Sequence, residues 1–176
     1  KHIAITRSLN VTDWAAVMVS CRSFPENLRI EAEIQMDADS QGIGFLFSIP
    51  ESDARKSLEE GYCLWIGSQK DPSFRLFRNN VQVLEVPEPD VWHKIRIEKI
   101  EDHIRFYFDG QLKLSFASYL PLAGTHVGLL HKDACFAIRK WTFHDGSHNV
   151  MVNCLAVPNA FLRHKLYDLA LREYRR

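Results

Sequence analysis

The chain has 176 residues, 46% hydrophobic and 25% charged, with 22 Lys+Arg against 22 Asp+Glu. Such a chain fits one globular domain, which buries roughly 70% of its unfolded surface without needing disulfides or metal. Zero net charge gives no general pull towards nucleic acid or anionic membrane, and no apolar run approaches the ~18 residues of a membrane span.

Period-two patterning dominates residues 27–143. Leu28, Ile30, Ala32, Ile34 and Met36 alternate with Arg29, Glu31, Glu33 and Gln35, which predicts a half-buried strand with a polar outer face. After a turn at Ser40–Gly42, Ile43–Ile49 is almost all apolar and fits a central strand buried on both faces; Pro50 ends it. Residues 51–60 are charged and read as an exposed loop, and Gly61–Gly67 as the next strand. Phe74–Arg78 and Val81–Val86 flank Asn79-Asn80, a two-residue hairpin turn. Trp92 opens a strand in which Ile95 and Ile97 point one way and Lys94, Arg96 and Glu98 the other. Ile104, Phe106 and Phe108 face in, Arg105 and Tyr107 face out, and Asp109-Gly110 is a strong hairpin turn before Leu112, Leu114 and Phe116, which face in again. Two further strands are predicted at Thr125–Leu130 and Cys135–Phe143. Many short strands with regular turn signals predict an all-β sandwich over residues 1–150.

After residue 150 the pattern changes. Phe161, Leu162, Leu166, Leu169, Ala170 and Tyr174 recur at helical spacing, so 151–176 reads as a C-terminal helical segment with no internal break. The chain opens on Lys1, without an initiator Met or a signal-peptide pattern, which predicts a piece of a longer protein. The 4 Cys (Cys21, Cys63, Cys135, Cys154) lack zinc-knuckle or thioredoxin spacing. They read as thiols of a reducing, cytoplasmic compartment, with two disulfides in a secreted domain as the alternative.

The order of these strands resembles the concanavalin A-like jelly rolls, which include legume lectins, laminin G-like modules and family-16 glucanases. The residues that carry it are a Trp opening a strand (Trp92), an aromatic strand ending in Asp109-Gly110, and the Gly124-to-Leu130 strand. The resemblance covers about three-quarters of the chain and implies a two-sheet antiparallel jelly roll that hosts enzymes, lectins and adhesion modules alike. Lys165–Tyr174, with Tyr167, Asp168, Ala170 and Tyr174 at the matching spacing, also resembles the inter-helix turn and second helix of a tetratricopeptide repeat, which needs further helices to bury its apolar face. A jelly roll leading into such helices is similar to the C-terminal part of a chlamydial-type serine/threonine protein kinase. This chain itself carries no three-glycine phosphate loop, His-Arg-Asp or Asp-Phe-Gly.

Glu31 and Glu33 share one strand face about 6–7 Å apart, a distance compatible with a glycosidase pair. Family-16 glucanases place a further carboxylate on that strand, where this sequence has Gln35 or Met36. Calcium is conceivable at Asp37 and Asp39 or at Asp145 and Asn149; His144 and His148 flank a turn and do not make a helical zinc pair. No Gly-x-Ser-x-Gly marks a nucleophile, and His93, His126 and His131 read as solvated side chains at strand boundaries. The most usable feature is the polar face formed by Arg29, Glu31, Glu33, Arg96, Arg105 and Tyr107, with Trp14, Tyr62, Trp65 and Trp141 as candidate aromatic platforms. The reading is a non-catalytic recognition or scaffold module that binds a carbohydrate or a protein partner, without catalytic residues or a required cofactor. The alternatives are a glycoside hydrolase of the same fold, acting through Glu31 with Glu33 or Glu98, and a structural spacer.

Overall fold

The computed structural model describes residues 2–5, 15–25, 27–50, 61–77, 81–118, 124–146 and 156–174. Two six-stranded sheets pack face to face. The first contains β1 (His2–Ile5), β12 (Phe136–Gly146), β3 (Asn27–Met36), β8 (His93–Ile100), β9 (His103–Phe108) and β10 (Gln111–Ala117), in that spatial order. The second contains β2 (Ala15–Val19), β11 (His126–Lys132), β4 (Gly42–Ile49), β5 (Tyr62–Gly67), β6 (Phe74–Phe77) and β7 (Val81–Val83). Every neighbouring pair is antiparallel.

The alternation read from the sequence is the alternation of burial. Ile30, Ile34, Ile97 and Phe106 of the first sheet meet Phe45, Phe47, Leu64 and Phe74 of the second in one core. Phe74 and Phe106 join the sheets edge to face, centroids 5.2 Å apart. Each such side chain withdrawn from water contributes roughly 1.5–3 kcal/mol before entropy is charged. β4 and β5 are buried along their whole length. Their second face holds a smaller apolar cluster of Leu46, Ile49, Cys63, Trp65 and Leu130. Gly44 is required there, because a Cβ would stand 2.7 Å from Leu130 Cδ1 and 2.8 Å from Cys63 Sγ.

Four expectations need correction. β1 and β2 lie in a stretch assigned no strand; β1 pairs with β12 and β2 with β11, each at the far end of the chain. Leu112 does not face in: a bulge between Leu112 and Leu114 turns it outward, 52% exposed. His93 and His131 are buried rather than solvated. The C-terminal helix is two helices, α1 (Ala156–Arg163) and α2 (Tyr167–Tyr174). Lys165 breaks the run with φ 59°. Its N–H reaches Leu162 O (3.0 Å) and that of Leu166 reaches Phe161 O (2.9 Å). This is the left-handed C-cap that usually carries Gly, here formed by Lys. Leu166 O then accepts from Ala170 N and starts α2. The Asn79-Asn80 turn lies outside the described residues.

Candidate functional site

The outer face of the first sheet is built by register. Lys94, Glu33 and Arg139 form one row across β8, β3 and β12; Tyr107, Arg96, Glu31 and Thr142 form the next, starting from β9; Arg105, Glu98, Arg29 and His144 form the third. Strand alternation thus brings Arg29, Glu31, Glu33, Arg96, Arg105 and Tyr107 to one surface.

The carboxylates of the two outer rows are each neutralised by a pair of cations. Glu33 accepts from Arg139 Nε (2.6 Å) and Lys140 Nζ (2.8 Å), and Arg139 also stacks on Trp92, 4.0 Å from the ring centroid. Lys140 and Arg139 hold the Glu33 carboxyl below the usual carboxylate range. Glu98, 6% exposed, lies 3.2 Å from Arg29 Nε and 3.4 Å from Arg96 Nε. The middle row differs. Glu31 and Arg96 stand directly opposite each other, yet Glu31 lies 3.5 Å from His144 Nε2, while the Arg96 guanidinium covers Tyr107 at 4.0 Å. Over this row runs a groove of about 380 Å³, lined also by Lys94, Lys140 and Gly110.

One wall of the groove is a β-bulge. Between Arg139 and Thr142 the strand β12 carries one residue more than β3, and Lys140 occupies it at φ 51°. The extra residue swings the ammonium over Glu33. The far end is the β9–β10 turn, where Asp109 (φ 47°) and Gly110 (φ 81°) adopt the left-handed pair of a tight hairpin. His93 fixes that turn to β8. Its Nδ1 is 2.7 Å from Asp109 Oδ2, its Nε2 is 2.9 Å from Glu88 O, and Asp109 Oδ1 accepts from Lys94 N.

The aromatic platforms fare differently. Trp65 is 1% exposed on the opposite sheet, and its Nε1 donates to Asp71 Oδ2 (3.0 Å). Tyr62 is likewise buried, hydrogen-bonded to Ser118. Trp141 points inward and meets Phe45 edge to face at 6.2 Å. None of these three reaches the polar face, and Trp14 lies outside the described residues. Sequence reasoning placed Lys94 on the correct strand face but missed its place in the groove; it also missed Lys140 and Thr142, whose orientation depends on the bulge. Among the described residues no group of three or more His, Cys, Asp or Glu gathers as a metal site. Asp39 pairs with Lys70 (3.8 Å); His148 and Asn149 lie outside the described residues. No helix of the described residues is long and apolar enough to cross a membrane.

Solved structures with the same two-sheet arrangement include the carbohydrate-binding module CBM66 from Bacillus subtilis (14% identity, TM-score 0.53, covering 81% of this chain and 94% of that one). Another is the Bacillus licheniformis β-glucanase (15% identity, TM-score 0.52, 73% and 70%). The fold is a concanavalin A-like jelly roll. No protein-family model matches the jelly-roll chain. In sequence it is 45% identical over 181 residues to serine/threonine-protein kinase PknD of Protochlamydia amoebophila, which covers 100% of this chain and 18% of the kinase. PknD of Chlamydia muridarum is 29% identical over 169 residues, covering 93% and 18%. The chain thus spans 18% of the length of these curated relatives.

Proposed function

We propose that this chain is a non-catalytic recognition module of a longer, PknD-like serine/threonine kinase, and that it binds carbohydrate in the groove over the middle row. The observation that carries this is the middle row, where the partly exposed Glu31 and the Arg96 guanidinium, shared with Glu98 and stacked on Tyr107, lie in a groove whose other carboxylate, Glu33, is already neutralised. An exposed acid and base with a planar aromatic edge suit sugar hydroxyls and C–H faces. The solved neighbours include a carbohydrate-binding module, which supports the ligand class. Hydrolysis is disfavoured by the same geometry. A glycosidase needs one carboxyl that keeps its proton, held in a desolvated pocket, whereas Glu33 and Glu98 each sit between two cations and Glu31 is partly exposed to solvent beside His144. An exposed, unbridged Cys21 fits a reducing, cytoplasmic setting. The 151–176 segment is read as the link to further helices of the longer chain, in the manner of a tetratricopeptide repeat.

Oligosaccharide binding by the purified chain, measured by titration calorimetry beside Tyr107→Ala and Arg96→Gln, tests the reading. Binding that falls at least about tenfold in both variants, a loss of ~1.4 kcal/mol, is expected. Binding that neither variant alters places the ligand elsewhere. Release of reducing ends from a soluble β-glucan, abolished by Glu33→Gln, would make the chain a hydrolase instead.

A further inference from the structure

Resting on the recognition reading above, we infer that the groove selects sugar chains bearing an anionic oxygen group, a uronate carboxylate or a sulfate ester, over neutral ones. The charge of the face departs from that of the chain. Overall the charged residues balance at 22 against 22. The three cross-strand rows with the bulged Lys140 hold six Lys/Arg against three Glu. Glu33 is clamped by two cations, and Glu98 by two others, so each cluster keeps one positive charge in excess. Lys94 and Arg105 have no carboxylate partner among the described residues. Glu31, the remaining carboxylate, lies toward β12 and faces His144.

The excess is placed where a ligand would lie. Lys94 and Arg96 share one face of β8, about 6–7 Å apart, and both line the groove together with Lys140. Among the described residues Lys94 is uncommitted, while the Arg96 guanidinium and the Lys140 ammonium are each shared with a carboxylate; around one trough such groups form charge-assisted hydrogen bonds with carboxylate or sulfate oxygens, roughly twice as strong as those with hydroxyls. Glu31, at the other side of the trough, is left to accept from sugar hydroxyls. The groove therefore has a cationic flank for the anion and an acceptor flank for the ring.

The test is a glycan array holding matched neutral, uronate and sulfated oligosaccharides, probed with the chain and with Lys94→Gln at low and high ionic strength. Lys94 is exposed, so its replacement leaves the fold in place. Expected are hits confined to acidic glycans, weakened about tenfold by Lys94→Gln and again by salt, which screens exposed charge over about 10 Å at 0.1 M. The uronate and sulfate arms show which anion is preferred. Neutral hits indifferent to Lys94→Gln and to salt overturn the charge selection while the recognition reading stands. A blank on every glycan class overturns both.

Discussion

His131 is an ionisable side chain used for packing. It shares the inner face of β11 with Val127 and Leu129, lies 5.7 Å from the Phe136 ring and has no hydrogen-bond partner at Nδ1. Burial pushes its pKa below the ordinary histidine value. The unfolded chain takes up this proton as pH falls through about 6.5, while the folded chain resists it. Stability is therefore unaffected above that pH and is lost as pH falls from it towards the lowered folded value. Thermal melts from pH 7.5 down to 5 should show a steeper loss for the natural chain than for His131→Gln; equal slopes would assign the acid sensitivity elsewhere. The rest of the residue-level picture was unevenly legible. Ile30, Ile97 and Phe106 declared themselves by alternation. Trp65 did not, because β5 is buried on both faces and period two then carries no inside or outside. His131 was hidden for a related reason: a polar residue at a strand end looks solvated until the opposite sheet is known.

At the scale of elements, the β12 bulge decides more than its single residue suggests. Simple alternation from Arg139 would put Trp141 outside with it. The extra residue reverses the parity, sends Trp141 into the core against Phe45 and delivers Thr142 and Lys140 to the groove. A bulge has no sequence signature without Gly, which is why the aromatic platform was misplaced. β1 and β2 were missed for a different reason: each is a short run whose partner lies more than 100 residues away. The left-handed backbone of Lys140 gives a check. Lys140→Val should cost about 1–2 kcal/mol, since a β-branched side chain tolerates that region poorly. Lys140→Gly should be near neutral, relief of the backbone offsetting the loss of an ion pair whose Lys partner is 70% exposed. Urea denaturation of both separates them, and equal costs would mean that the bulge is not held in this conformation.

For the whole molecule, the last strand of either sheet among the described residues ends at Gly146, and α1 and α2 pack on each other, with Tyr174 Oη donating to Asn159. A chain ending at residue 150 should accordingly keep a single cooperative unfolding transition with its near-ultraviolet circular dichroism intact. Loss of that transition would make the helices part of the folding unit and move the boundary proposed at 150. The pairing of the first strand with the last has a mechanical meaning. His2 lies opposite Arg139 and Ile5 opposite Phe136, so the chain enters β1 at the end of the paired rungs from which β12 runs on, against β3, to Gly146. Tension that draws the entry of β1 away from β12 at that end opens the β1–β12 rungs in succession, like a zip, instead of shearing them together. Within a longer protein under load, β1 would peel first at low force, and the groove, which lies on β12, β3, β8 and β9, would outlast it.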